Sequence, residues 1–378
     1  MIRESWQRIG AIAVKEFIHL SKDWGLPLFM LIGGVMELTL IGWATGRPIS
    51  NLPLMLLDHD HSPQSREVIQ AVQNTGTFKI TDFALDEDQI TEAIRKGQIN
   101  AALIIPEDYS DELLSANGQP VLVVILSGAE SVPATAALRA LEGLVRSIDS
   151  HILFERYALD ADTLRAFEPS LRVWFNEALS EALYTIPAEM ALMLEFTVLL
   201  FAALSFSRER ELGTLEQLLV MPFSSMELII GKAIPVIIVG FSDFTLMLIM
   251  VHFLFNIPIR GSLILLLLLA LVYLLVELSK GMVISVISKT QHQAFLTVMV
   301  IGFVDFMFTG YAIPVESMPL AMRWIANLIP AHHWLAIVRG ILLKGSGLTI
   351  LWPHVLILAI LAVVIVNYSL RFVHRALD

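Results

Sequence analysis

Six stretches of this chain are each apolar for long enough to cross a lipid bilayer: Leu26 to Trp43, Ile186 to Phe206, Ala233 to Phe255, Ser262 to Val286, Ala294 to Val315 and Ile350 to Phe372. A hydrocarbon core of ~30 Å needs about 20 helical residues at ~1.5 Å rise each. Of the 378 residues, 56% are hydrophobic, above the roughly 45–50% of soluble domains. The expected fold is an α-helical polytopic membrane protein with six transmembrane helices and an α/β extracytoplasmic domain inserted between the first and second spans. The first apolar run is followed by Gly46-Arg47-Pro48 without a small-x-small cleavage pattern, so it reads as a retained span rather than a signal peptide.

The inserted domain is visible as alternation. Short apolar runs (Leu54 to Leu57, Phe78 to Phe83, Ala101 to Ile105, Val121 to Leu126) are interleaved with helical patterns at Ser62 to Gln73, Asp86 to Lys96 and Tyr109 to Ser115, the pattern of α/β structure. Ser62-Pro63 and Asp86 with Gln89 mark helix starts, and Gly97 marks a stop. Ala134, Leu138, Leu141, Val145, Ile148 and Ile152 then form the seam of a longer helix, paired with its own domain or with a second subunit.

Charge sets the orientation. Arg3, Arg8, Lys15 and Lys22, then Arg208, Arg210 and Lys232, then Lys289, and finally Arg371 and Arg375 fall on one side of a six-span topology, the cytoplasm, with both termini inside. Arg323, Arg339 and Lys344 are the exceptions on the other side. Ile325 to Leu343, interrupted by Pro330, His332, His333 and Arg339, therefore reads as re-entrant or surface helices at about 314–345. The whole formal charge of −11 comes from residues 47–186, with 21 acidic against 10 basic side chains. So basic-poor a domain argues against nucleic acid as a partner.

Trp6, Ile9, Ala13, Phe17, Leu20 and Trp24 lie at spacings of three and four, one stripe of an amphipathic helix lying in the membrane interface or packed on protein. The expected organisation is an interfacial helix over 1–24, a first span over 25–46, the α/β domain over 47–185 and the remaining spans over 186–378.

The run Phe206-Ser-Arg-Glu-Arg-Glu-Leu-Gly-Thr-Leu-Glu-Gln-Leu-Leu-Val-Met-Pro222 concentrates charge where a span must end. A short helix from Thr214 to Val220, stopped by Pro222, is expected there. Alone, the cluster reads equally as a solvated helix end. With Ile230-Gly231-Lys232, Arg172-Val-Trp-Phe-Asn176, Gly310-Tyr311, Pro314-Val-Glu-Ser-Met-Pro319 and Arg339-Gly340-Ile-Leu-Leu-Lys344, it resembles ABC-2 type permeases, membrane subunits of bacterial ABC exporters, in particular the multidrug type with a large extracytoplasmic insertion.

The resemblance implies an ATP-driven drug or amphiphile exporter of the bacterial inner membrane. It also implies a homo- or heterodimer of permeases with ABC ATPase subunits docked on the cytoplasmic side; a periplasmic adaptor is a further candidate partner. ATP and Mg would be used by the ATPase and no cofactor bound here. No Gly-x-x-x-x-Gly-Lys-Ser/Thr loop occurs, since Met226 stands where the first glycine is required, so the chain is not expected to be an enzyme. The ATPase-coupling residues implied are Lys15, Glu16, Glu209, Arg210, Glu211, Gly213, Thr214, Glu216 and Gln217, on the amino-terminal helix and a coupling helix within 207–222.

Glu37, Glu195, Asp243 and Asp305 lie near the middle of their spans. Buried acids at that depth face a bundle interior, and they read as a translocation pathway for cationic amphiphiles or as structural hydrogen-bonding groups. Glu277 and Lys280 are one turn apart and expected to pair. Asp58-His59-Asp60-His61 reads as a turn capping the Ser62 helix, and His332-His333 as a loop at the outer face; no metal is expected, and with no cysteine neither disulfides nor thiolate sites exist. Two rivals remain: a membrane-anchored receptor acting through its external domain, and an ion-coupled transporter using the intramembrane carboxylates.

Overall fold

The structure, a computed structural model, describes residues 2–22, 25–45, 49–115, 118–129, 133–145, 174–176 and 180–377. Contacts divide the chain into two units: Pro48–Arg172, and Met1–Arg47 with Val173–Asp378. Trp24, Ile148, Ile152, Arg172 and Val173, singled out above, lie outside the described residues.

The larger unit begins with α1 (Ile2–Lys22) and α2 (Gly25–Thr45), the latter at the position of the expected first span. Helix α1 buries Ile9, Ile12 and Ala13 against protein and leaves Trp6, Val14, Phe17 and Ile18 exposed. Its apolar surface is thus divided between a face packed on protein and an exposed flank that includes Trp6 and Phe17.

The smaller unit is a four-stranded sheet of order β2-β1-β3-β4. Its elements are β1 (Leu52–Asp58), α3 (Pro63–Asn74), β2 (Phe78–Phe83), α4 (Glu87–Arg95), β3 (Ala101–Ile105), α5 (Tyr109–Leu114), β4 (Val123–Leu126) and α6 (133–145). Strand β1 runs parallel to β2 and β3, whereas β4 is antiparallel to β3. The centre of the sheet is covered on both faces: Leu54, Leu56, Leu103 and Ile105 pack with Val68 and Val72, while Leu57, Ala102 and Ile104 pack with Ile90 and Ala93. Hence the unbroken apolar runs of β1 and β3.

Helix α3 is capped by Ser62, which accepts from Ser65 N at 2.9 Å. Asp86 caps α4 through Gln89 N at 2.9 Å, and Gly97 ends that helix at φ +68°. Asp58 Oδ1 accepts from the backbone of Asp60 and His61, and its Oδ2 from Ser65 Oγ at 2.8 Å, so the acidic-histidine run is a turn that locks the start of α3. Helix α6 buries Ala137, Leu141 and Leu144 within its own unit and exposes Leu138 and Val145, so among the described residues of the expected seam Leu141 faces its own unit.

The larger unit continues with α7 (Glu181–Glu211), α8 (Leu215–Val220), α9 (Ser225–Phe255), α10 (Leu263–Ile287) and α11 (Gln291–Phe308). A 3-10 turn at Val315–Ser317 leads to α12 (Leu320–Leu328), α13 (Pro330–Lys344) and α14 (Leu348–Leu377). Among the described residues five helices, α7, α9, α10, α11 and α14, are long and apolar enough to span; the count rises to six if α12 and α13, bent by 83° at their break, make one broken span.

Helix α7 is the axis of this unit, contacted by α2, α9, α10, α11 and α13 and buried along most of its length. Close approach of α10 depends on Gly281: a Cβ there would stand 2.4 Å from Ala202 Cβ and 2.7 Å from the Leu199 carbonyl oxygen. Small residues at such crossings let membrane helices pack by van der Waals contact.

Candidate functional site

The charge-rich run does not end α7 where the apolar residues stop. The helix persists through Glu211, and the chain reverses only at Gly213, whose φ of +70° lies in the left-handed region glycine enters freely. The helix continues because its charges are met from elsewhere. Glu209 accepts from Lys15 of α1 at Oε1 and from Thr214 Oγ1 at Oε2. Lys232 of α9 places Nζ 2.7 Å from Glu16 Oε1 and 3.4 Å from Glu209 Oε1, donates to the Ser205 carbonyl at 3.1 Å, and sits over the Phe206 ring. Two cations and two carboxylates from three helices neutralise one another in a largely buried group, as buried charges require. Gly231 lets α1 come close enough, since a Cβ there would meet Ile12 Cβ at 2.7 Å.

The neighbouring charges turn the other way. Arg210 Nη1 donates to the Val286 and Ser288 carbonyls, both at 2.7 Å, and Glu211 Oε2 accepts from Gln291 N at 2.8 Å, so this pair grips the connection between α10 and α11. Helix α8 buries Leu215 and Leu218 and presents Glu216 and Gln217 to the outside. A groove of about 360 Å³ beside it is lined by Lys15, Glu209, Thr214, Gln217, Leu218 and Phe223, among others. On its far side Ser224 and Glu227 form a capping box at the start of α9, and Arg8 of α1 donates to the Pro222 carbonyl at 2.9 Å.

A second charged group lies deep in the helices. Lys280 Nζ is 2.7 Å from Asp305 Oδ2, 2.8 Å from Glu277 Oε2 and 3.4 Å from Glu195 Oε1; Tyr273 OH donates to Glu195 Oε2 at 3.1 Å. The contact with Glu277 is an ion pair by distance whose alignment falls short of a hydrogen bond. Asp243 stands apart, accepting from Thr197 at 2.9 Å, and Glu37 lies on an exposed face of α2. Of the four mid-span acids, Glu195 and Asp305 share Lys280, while Asp243 and Glu37 stand outside that group.

A third convergence joins distant sequence landmarks. Tyr184 OH on α7 donates to the Gly310 and Tyr311 carbonyls at 3.3 and 3.2 Å. Arg339 stacks 4.0 Å over the Tyr184 ring and donates to the Tyr184 carbonyl at 3.1 Å. Asn176 holds the start of the same helix through Ser180 N at 2.8 Å.

Residues 24–371 match the family described as ABC-2 family transporter protein. The chain belongs to the ABC-2 transporter family. It is similar to the probable multidrug ABC transporter permease YbhR of Escherichia coli (strain K12), 28% identical over 92% of this chain and 93% of that one. It is also similar to the probable multidrug ABC transporter permease YbhS of the same strain, 26% identical over 99% of this chain and 98% of that one. ABC transporter G family member 20 of Dictyostelium discoideum is 22% identical over 89% of this chain, which spans 46% of that longer protein. This ABC-2 permease is thus a multi-pass membrane subunit of a transporter, of a family that normally pairs with ABC ATPase subunits.

In the permease, Lys15, Glu16, Glu209 and Thr214 come together, Gly213 makes the turn between them, Arg210 and Glu211 brace the α10–α11 connection, and Glu216 with Gln217 remain outward. Sequence reasoning placed Lys232 in the connection before the third span; α9 starts seven residues earlier, at Ser225 after the Ser224 cap, and Lys232 is buried against α1 and α7. It also missed Glu189, buried on α7 and hydrogen-bonded to Tyr311. His332 and His333, expected in a loop, are in the first turn of α13.

Proposed function

We propose that this permease is the membrane half of an ATP-driven exporter of drugs or amphiphiles, with α1 and α8 on the cytoplasmic side as the seat of a separate ATPase. The observation that carries this reading is the four-charge group of Lys15, Glu16, Glu209 and Lys232, which fastens α1 and the foot of α7 to α9 beside the exposed edge of α8. A partner gripping Glu216 and Gln217 would move α8, and the hydrogen bonds between Thr214 and Glu209 would carry that motion into α7 as a rigid body. Arg339, the main exception to the cytoplasmic clustering of basic residues, is held inside by Tyr184 and Gly310, so it serves packing rather than orientation. In this reading the permease works as a homo- or heterodimer, both termini lie in the cytoplasm, and the Pro48–Arg172 unit lies outside it, open to a periplasmic adaptor.

The test is reconstitution in vesicles with the cognate ATPase, comparing wild type with Glu211→Ala/Glu216→Ala. ATP hydrolysis should persist while export falls at least tenfold; a variant that exports normally, or wild-type chain that exports equally well without the ATPase, would remove the proposal.

The Lys280 group supports a second, narrower reading, that its carboxylates select cationic cargo. Glu195→Gln and Asp305→Asn should then impair export of cationic dyes more than of neutral ones, whereas equal loss would assign the group to helix packing.

A further inference from the structure

Two adjacent histidines and a third 21 positions after them meet beside the break of the bent helix pair. His332 and His333 open α13, His354 lies in the first two turns of α14, and one ring nitrogen from each falls within 4.8 Å of the other two. His333 is fully buried and the other two are half-buried.

The hydrogen bonds fix which nitrogens are free. His333 Nε2 lies 2.9 Å from the Asn327 carbonyl, which can only accept, so Nε2 carries the proton and a neutral ring has its lone pair on Nδ1. That lone pair accepts the Nδ1–H of His354, 3.1 Å away, a proton that an entering metal ion would replace. Likewise His332 Nδ1 lies 3.1 Å from the Thr309 carbonyl, which leaves the lone pair on Nε2. Metal-ligating histidines commonly donate their second ring N–H to a carbonyl, which sets the tautomer and aims the ligand atom. Two imidazole nitrogens bound to one tetrahedral ion at about 2.0–2.1 Å stand roughly 3.3 Å apart, close to the 3.1 Å seen between His333 and His354.

We propose that His332, His333 and His354 form a site for a divalent transition metal, Zn²⁺ being the expected occupant. Three neutral imidazoles suit Zn²⁺, Ni²⁺ or Cu²⁺ rather than Mg²⁺ or Ca²⁺, which take oxygen ligands. One ring nitrogen of each histidine already lies within 4.8 Å of the other two, so the three can converge on one ion. The carbonyl partners come from the end of α11 and from α12, so the ion would tie four elements, α11 to α14, around the 83° break.

The test uses the full-length permease, purified in detergent through a tag without histidine, stripped with a chelator and titrated with Zn²⁺ and with Co²⁺. Wild type should bind one ion per chain, each single His→Gln variant should bind at least tenfold more weakly, and H332Q/H333Q/H354Q should bind none. X-ray absorption of the wild-type zinc form should count three imidazole nitrogens, a readout independent of whether the triple variant folds. Absence of stoichiometric binding by wild type, undiminished binding by the triple variant, or a zinc shell with fewer than two imidazoles would overturn the site.

Discussion

Lys232 Nζ lies 2.7 Å from Glu16 Oε1, with 1% of the lysine side chain exposed. A cation of α9 is thus tolerated inside the protein because the amino-terminal helix delivers a carboxylate to it, and Glu209 completes the arrangement.

Removing that cation should cost more than removing one of its partners. Lys232→Met leaves Glu16 and Glu209 with Lys15 alone, and breaking a buried ion pair costs about 3 kcal/mol or more. Thermal unfolding in detergent should show the loss, and adding Glu16→Gln to Lys232→Met should recover part of it, the coupling expected of residues in contact. A drop below about 1 kcal/mol, the size typical of exposed pairs, would mean that the lysine finds water in solution.

Gly281 sets the distance between α10 and α7. Gly281→Val forces a branched side chain against the Ala202 methyl and the Leu199 carbonyl, and overpacking of this kind costs about 1–3 kcal/mol. Gly281→Ala should be milder and partly rescued by Ala202→Gly; the rescue stays incomplete because the Leu199 backbone oxygen, 2.7 Å from the new Cβ position, cannot be trimmed. The midpoint of thermal aggregation, followed by size exclusion, reads all three variants.

Asp60 gives the smaller unit an acid sensitivity. Slight burial pushes its carboxyl upward, but hydrogen bonds from Ser62 and Ser110 outweigh that and hold it below its ordinary value. A carboxyl depressed in the folded state contributes stability that is present above its unfolded pKa and lost as pH falls through the folded one. Asp60→Asn should therefore lower protection of β1 and α5 amides at neutral pH, and the difference from wild type should shrink as pH drops below the ordinary carboxylate range. Hydrogen exchange on the intact chain measures this; a difference constant with pH would assign the effect to lost geometry alone.

The smaller unit was legible because its signals are local. Ser62, Asp86 and Gly97 act within four residues of themselves, and β2 and β3 fall at the bounds their apolar runs mark. In the helical unit, the run from Arg208 to Glu211 reads as a helix end because four charges in a row should not continue an apolar helix. What neutralises Glu209 is Lys15, 194 positions away, and no local pattern announces it. A shorter gap, 21 positions between His333 and His354, hides the meeting of the three histidines in the same way. The mid-span acids were visible as residues but not as a group, because only Lys280, on a different helix from Glu195 and Asp305, shows which of them belong together.

Helix α7 is 31 residues long, with Pro187 near its head, about 46 Å at ~1.5 Å per residue. Its foot is the Glu209 group and its head is the Tyr184 contact with Gly310 and Arg339. Under the proposed coupling, a tilt of a few degrees pivoting at the foot would displace the head by several ångströms, enough to disengage Tyr184 from the two carbonyls it bonds.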